Sequence, residues 1–181
     1  DQDEIAFPFA PTRAKAVVVE ALKDFGGILL TDGYEVYERY VEKVTGIVHA
    51  QCWSHTRRHF VKAEESEPVR AGEVLGRIGK LYQQEEDLKA ASLEGEKALA
   101  WRGEKIKPLV DGIFEYLRRE LETEVLLPTN PFTKAARYAL NREASLRVIL
   151  EYPDVPLDTN HLERAIRPIA LGRKNYLFCW T

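Results

Sequence analysis

The pattern of apolar and polar residues predicts five alternating elements, strand–helix–strand–helix–strand, over the first fifty residues. Ile5–Phe9 and residues 28–30 and 47–50 are short apolar runs typical of strands. Residues 14–25 and 36–44 between them carry apolar positions at helical spacing, and each stretch is followed by glycine. Helices that connect successive strands place those strands parallel to each other. We therefore expect a short, mostly parallel sheet with flanking helices.

From residue 53 onward the pattern becomes helical. It predicts helices over residues 53–65, 69–93, 96–125 and 132–151, the third kinked at Pro108. Trp53 and Phe60 are expected to pack inward. The core candidates of the fourth helix are Ala135, Ala136, Tyr138, Ala139, Leu140, Leu146, Ile149 and Leu150. The predicted class is α/β with helix dominant: residues 1–60 form the core, 61–156 an all-helical insertion, and 157–181 the return to the core.

Composition and charge limit the binding partners and the cellular compartment that we expect for this chain. The net charge of −3 over 181 residues does not indicate nucleic acid, so any basic surface must be local. Two cysteines without framework spacing favour a reduced, cytoplasmic interior over a disulfide scaffold. No signal peptide is evident and no apolar run could span a bilayer, so we expect no membrane partner. Because strand-like runs stand at both ends, the chain is interpreted as a fragment of a longer protein.

The stretch from Asp158 to Asn175 combines one acid with several cations. Asp158, Thr159 and Asn160 are suitable helix N-caps, and Asn160 with Glu163 has capping-box spacing. Leu162, Ala165, Ile166 and Ile169 form an apolar stripe, and the chain is expected to turn extended after Gly172, over residues 176–178. The cations are Arg164, Arg167, Arg173 and Lys174. Such a helix can present an acid to a metal and cations to phosphates; alternatively, Glu163 only caps an amphipathic surface helix.

Asp32 stands just past the end of the second predicted strand. Sites in open α/β sheets form outside the carboxyl ends of strands, so a carboxylate here is well placed to bind a hard cation. The alternative is that Asp32 merely caps the helix starting near Glu35. If the helical insertion is bypassed, Asp32 and Glu163 meet at one edge of the sheet. Two carboxylates are the minimum for a Mg²⁺ site, because Mg²⁺ takes one or two of them plus waters and phosphate oxygens.

A third motif, HAQCWSHTRRH, concentrates His49, Cys52, His55 and His59 within eleven residues. A zinc site is disfavoured because no second ligand pair with finger spacing exists. The motif also holds Trp53 and two arginines. With Trp53 and Phe60 packed inward, a cationic face for a phosphate backbone or for the acidic site would be formed by His55, Arg57, Arg58 and Lys62. A plain solvated helix is the remaining alternative.

Three segments together resemble a known family. LLTDGYEVYERY, HAQCWSHTRRHF and DTNHLERAIRPIALGRKNYLF are similar, in that order, to the signature segments of the insertion-sequence 66 family of bacterial transposases. The resemblance covers nearly the whole chain and is loosest over residues 65–150.

The resemblance implies a DDE transposase with a ribonuclease-H-like core and a helical insertion. In such proteins three carboxylates hold two Mg²⁺ (or Mn²⁺) ions for attack on a phosphodiester. Asp32 matches the second acid and Glu163 the third. His49, Cys52, Trp53 and His55, with Arg57 and Arg58, match a family motif whose role the chemistry does not assign. The implied partners are DNA, as transposon ends and target, and further copies of the chain as a homo-oligomer in the bacterial cytoplasm or nucleoid.

One departure limits the expected activity. The first acid should lie on a strand upstream of Ile5, and Asp1 and Asp3 are poor substitutes for it. We therefore expect this fragment to be inactive alone, although the full-length protein would catalyse hydrolysis and strand transfer. Two other classes of function fit the same residues. One is a non-catalytic DNA-binding or regulatory relic of a transposase, and the other is a helical interaction protein that binds partners through residues 69–152.

Overall fold

The computed structural model describes residues 10, 12, 14–123 and 125–175. Helices dominate, and the two strands lie near the amino-terminal end. In chain order the elements are α1 (Lys15–Leu22), β1 (Gly27–Thr31), α2 (Glu35–Val41), β2 (Ile47–Gln51), α3 (Trp53–Ala63), α4 (Pro68–Ala90), α5 (Gly95–Trp101), a π-helical turn (Arg102–Ile106), α6 (Lys107–Glu122), α7 (Pro131–Leu140), α8 (Glu143–Arg147), a 3₁₀ turn (Val148–Leu150) and α9 (Asn160–Asn175).

The sheet pairs β1 and β2 in parallel. The register runs from Gly27 opposite Ile47 to Thr31 opposite Gln51, and α2 forms the crossover between the strands. This arrangement confirms the predicted helix-dominated α/β class with a small parallel sheet. The predicted strand at residues 5–9 and the predicted extended segment at 176–178 lie outside the described residues.

One buried cluster, assembled mainly from α3, α4, α6 and α7, forms the core. Its largest fully buried side chains include Trp53, Phe60, Phe114 and Phe132, so the predicted inward packing of Trp53 and Phe60 is confirmed. The indole of Trp53 donates a hydrogen bond to the Leu146 carbonyl at 3.0 Å. Among the core positions predicted for the helix over 132–151, those that are buried are Ala135, Ala136, Ala139, Leu146 and Ile149. The cluster contains side chains from both sides of the domain boundary predicted between residues 60 and 61. The three-part domain division stays a prediction.

The single helix predicted over residues 96–125 is observed as α5, a π-helical turn and α6, and the kink at Pro108 stays a prediction. Pro108 lies in the first turn of α6, directly after the π-helical turn, where the Lys107 amide donates to the Arg102 carbonyl five residues back. Proline has no N–H for the ordinary i→i−4 bond, so the widened turn before it is physically consistent with its position.

The Arg102 side chain is buried at this π-helical turn. It donates to Glu85 on α4 and to the carbonyls of Ile149 and Tyr152.

The helix predicted over 132–151 is divided by a turn at Asn141–Arg142. Asn130 caps α7, since its side chain accepts a hydrogen bond from the Phe132 amide. At the break, Arg142 forms an ion pair with Glu38 on α2, with a nitrogen–oxygen distance of 2.6 Å. The turn thereby ties the carboxyl end of α7 to the α2 crossover.

α9 is longer than predicted. It continues past Gly172 to Asn175 with Pro168 inside it. Of the three suitable N-cap residues, Thr159 is the one that directly precedes the helix, since its carbonyl accepts the first helical bonds, from the Leu162 and Glu163 amides; Asn160 lies inside the helix and does not form the capping box.

The apolar stripe of α9 is largely solvent-exposed in the described structure. Leu162 is 40% exposed, Ile166 44% and Ile169 55%. α9 therefore contacts the rest of the described chain chiefly through its first turn.

Candidate functional site

Asp32 immediately follows β1, at the carboxyl edge of the sheet. Its carboxylate accepts a hydrogen bond from the Tyr34 amide at 3.1 Å, which makes a local turn before α2 rather than a cap on that helix. Gly33 has φ +85°, and a Cβ atom there would lie 2.1 Å from the Tyr138 hydroxyl oxygen. The close approach of Tyr138 thus requires glycine beside the acid. Burial raises the pKa of Tyr37, and the neighbouring Asp32 charge adds to the increase.

Glu163 lies in the first turn of α9 and is bound by residues of α3. Arg58 Nη2 donates to Glu163 Oε2 at 2.7 Å, and His55 Nε2 lies 3.5 Å from Oε1. The Arg58 hydrogen bond is the main reason that the pKa of the Glu163 carboxyl lies below its usual range. The alternative in which Glu163 only caps its own helix does not describe this arrangement, since its carboxylate pairs with another helix.

The two predicted acids border one cleft of about 320 Å³. Thr31, Tyr37 and Thr159 contribute to its polar lining. Its apolar lining comes from α1, β1 and α9, through Leu22, Leu29, Leu30 and Leu162. The fold therefore returns Glu163 to the strand end that carries Asp32, as the sequence predicts.

The other predicted cations are distributed over different faces. Arg167 is exposed one turn after Glu163, and its charge helps to lower the pKa of the Glu163 carboxyl. Arg164 instead lines a second cavity, of about 270 Å³, together with Glu85 and Glu86 of α4. Arg57 is exposed. Burial is the main reason that the pKa of the Tyr82 phenol is raised, and the nearby charge of Arg57 opposes that increase.

Arg173 and Lys174 fall within α9, but their side chains are outside the described part of the structure. Their predicted contacts with DNA, like those of Arg57, Arg58, Arg164 and Arg167, remain predictions.

The histidines and the cysteine of the third motif have separate partners. His49 Nε2 lies 2.9 Å from the Thr31 hydroxyl, and burial lowers the pKa of His49. The Cys52 thiol accepts a hydrogen bond from the Thr159 hydroxyl at 3.6 Å. His59 stacks on the ring of Tyr138, with 3.9 Å between the ring centroids.

His55 is the histidine nearest the acidic cleft. Its Nε2 lies 3.1 Å from Arg58 Nη1. A guanidinium can only donate, so Nε2 is the acceptor in this contact. Within the motif, His55 and Arg58 face the acidic site. A cationic face directed at that site, rather than at a phosphate backbone, is one of the two roles that the sequence analysis gives for these residues.

Two features of the site were not predicted from the sequence. The first is the pairing of Arg58 with Glu163, residues that the pattern places on separate helices. The second is Tyr138, which is only half-buried: its ring stacks on His59 and its hydroxyl reaches Gly33. A tyrosine among the alanines of α7 was a weak signal for such a role, because a polar tip on a core position often contacts a polar partner.

The donor set of the cleft is two carboxylates. Hard oxygen ligands of this kind suit Mg²⁺ or Mn²⁺, which need few protein ligands and keep several waters. Among the described residues, no group of three histidine, cysteine or acidic side chains is close enough to hold a metal ion. In the same part of the chain, no helix has the length and apolar character needed to cross a membrane.

Comparison with known proteins identifies the family. The model of the transposase IS66 family matches residues 1–181. Three relatives from Sinorhizobium fredii (strain NBRC 101917 / NGR234) match nearly the whole chain, and each carries the name of an uncharacterized protein. The identities are 32% for y4qI, over 96% of this chain and 33% of the relative; 30% for y4hP, over 94% and 35%; and 25% for y4jD, over 96% and 34%.

The chain thus spans about a third of the length of these relatives. No solved structure gives a significant match to it. The family match agrees with the resemblance carried by the three sequence segments and extends over the cleft and both of its acids. The chain belongs to the IS66 family of transposases.

Proposed function

We propose that this chain is part of the catalytic domain of a DNA transposase, and that Asp32 and Glu163 are two of its metal-binding acids. The observation that carries the proposal is the shared cleft, which both carboxylates border although they come from opposite ends of the chain. On this proposal the sheet and its crossover helices belong to a ribonuclease-H-like core. The long helices between α3 and α9 are then the insertion.

The two acids would hold Mg²⁺ or Mn²⁺ at the carboxyl edge of the sheet. Such ions, when bound, neutralise charge that develops on the attacking and leaving oxygens of a phosphodiester. The residues of the chain have distinct roles around them. Asp32 and Glu163 supply oxygen ligands, while Arg167 and the further cations of α9 bind the DNA backbone.

The proposed reaction in the full-length protein is metal-dependent hydrolysis and strand transfer. The family resemblance implies a third acid, and two carboxylates border the cleft within the described residues. We propose that the 181-residue chain is inactive alone and that the longer protein acts as a homo-oligomer on transposon ends and target DNA.

The test uses the full-length protein and nicking of supercoiled plasmid DNA in Mn²⁺. Asp32→Asn and Glu163→Gln should each lower the rate by about 100-fold or more, because each removes a charge that serves the transition state. Glu96→Gln, which changes an exposed carboxylate on α5 remote from the cleft, is the matched control and should cleave at the rate of the unmodified protein.

Two results would overturn the proposal. Cleavage that persists in both Asp32→Asn and Glu163→Gln would remove these acids from the chemistry. A full-length protein that binds DNA with steep salt dependence but never cleaves it would instead favour the non-catalytic relic. Electrophoretic mobility shifts across a salt series, run on the same preparations, separate these two outcomes.

A further inference from the structure

The segment before α9 is hydrogen-bonded to the amino-terminal end of α3. The Cys52 amide donates to the Thr31 carbonyl at 3.0 Å, at the end of β1. The next amide, that of Trp53, donates to the Leu157 carbonyl at 2.9 Å. The Thr159 hydroxyl donates to the Cys52 sulfur. These contacts connect the end of the strand, the start of α3 and the return segment at one place.

Arg58 continues this set of contacts one and a half turns further along α3. Its guanidinium donates to Glu163 Oε2, and a second nitrogen lies 3.1 Å from His55 Nε2. Among the described residues, the neighbour of Glu163 Oε1 is His55, whose Nε2 is 3.5 Å away, a longer contact than the one with Arg58. A carboxylate has about four acceptor positions, so the bond to Arg58 leaves others for a cation.

We propose that Arg58 is a positioning residue: it stays bonded to Glu163 when a divalent cation binds in the cleft and fixes the rotamer of that carboxylate. This inference rests on the proposed function of Asp32 and Glu163. It assigns a role to part of the HAQCWSHTRRH motif, which the proposed chemistry does not otherwise use.

The physical reason is the freedom of an exposed glutamate. The Glu163 side chain is 40% exposed, and the short ion pair that its carboxylate makes among the described residues is with Arg58 of another helix. Without Arg58, a cation would have to order this long side chain at the moment of binding, at an entropic cost. Partners of this kind, which orient a metal ligand from behind, typically change metal affinity by about 10- to 100-fold.

A competing arrangement makes the opposite prediction. If the guanidinium occupied the position that a cation needs, Arg58 would have to leave before metal could bind. Removing Arg58 would then tighten metal binding. The direction of the change in affinity therefore distinguishes a positioning residue from a competitor.

The experiment measures Mn²⁺ affinity of the full-length protein by electron paramagnetic resonance, without DNA. We expect Arg58→Gln to weaken Mn²⁺ binding by about 10- to 100-fold. Arg58→Lys should give partial rescue, because an ammonium keeps the charge but lacks the planar fork of the guanidinium. The matched control is Arg39→Gln, which removes another exposed arginine–glutamate pair, that with Glu35 on α2, and should leave the affinity unchanged.

Thermal unfolding of the same variants separates positioning from a merely structural role. An exposed ion pair contributes little to stability, so Arg58→Gln and Arg39→Gln should unfold close to the unmodified protein. Unchanged or tighter Mn²⁺ binding in Arg58→Gln, with binding lost in Asp32→Asn, would overturn the positioning role alone. Unchanged binding in Asp32→Asn and Glu163→Gln would overturn the proposed metal site and this inference with it.

Discussion

Removing Arg102 should destabilise the helices around it more than any exposed substitution does. Its side chain is 3% exposed and that of its partner Glu85 is 4% exposed. Two guanidinium nitrogens donate to the Glu85 carboxylate, while a third donates to the carbonyls of Ile149 and Tyr152 at 2.9 and 3.0 Å. Arg102→Met keeps much of the side-chain volume but removes all of these donors.

The expected cost follows from what the substitution leaves behind. Glu85 would be a buried carboxylate without a counter-charge, and two carbonyls would lose their donor. Breaking a buried pair by removing one partner costs about 3–5 kcal/mol. For Arg39→Met, which breaks an exposed pair with Glu35, the expected cost is below about 1 kcal/mol. The double variant Glu85→Leu/Arg102→Met should recover part of the loss, because no unpaired charge remains.

Urea unfolding followed by circular dichroism measures these differences. With the slopes usual for domains of this kind, Arg102→Met should lower the midpoint by about 1–2 M, and Arg39→Met by far less. A midpoint for Arg102→Met equal to that of Arg39→Met would refute the reasoning. So would a double variant less stable than Arg102→Met. Either result would mean that the charge at residue 85 is hydrated or paired elsewhere.

Three further predictions concern the sheet edge and the core. Gly33→Ala should destabilise the fold by about 1–3 kcal/mol, because its backbone is left-handed and the added carbon meets the Tyr138 hydroxyl; Tyr138→Phe should restore only part of this in a double-mutant cycle by urea unfolding. The pKa of His49 is lowered, so the folded state resists its protonation. Neutral His49 therefore contributes its full share of the free energy of unfolding above pH 6.5, which is about its pKa in the unfolded chain. That contribution declines as the pH falls below this value. An NMR titration should give a pKa below that value, and one above it would contradict the burial argument. Trp53→Phe should cost about 1–3 kcal/mol in urea unfolding, because it leaves the buried Leu146 carbonyl without its donor.

Local sequence patterns predicted the elements that position the acids. The apolar run before Asp32 became β1, and the helical spacing around Glu163 became α9, because both signals depend on nearest neighbours along the chain. That the two acids would lie at one edge of the sheet was predicted only by assuming that residues 61–156 are a bypassed insertion. The cleft they share agrees with that assumption.

Other features of the site depend on contacts that no local pattern contains. The choice of Arg58 rather than Arg57 as the partner of Glu163 follows from how α3 is rotated, and the Trp53 bond to Leu146 contributes to fixing that rotation. The sequence left the residue that precedes α9 open among three candidates, for a related reason. Thr159 uses its hydroxyl on Cys52 of another element, so local capping preferences did not settle which residue caps the helix.

The large sequence separation of these contacts has a consequence for biosynthesis. Arg58 and Glu163 are 105 positions apart, and Thr159 and Cys52 are 107 apart. Pairings of such long range form after local helices, because the intervening chain must first be ordered. A growing chain on the ribosome therefore carries Asp32 long before the opposing carboxylate exists. An incomplete polypeptide that ends before α9 lacks one of the two carboxylates that border the cleft, so the complete cleft forms only after residue 163 has been synthesised.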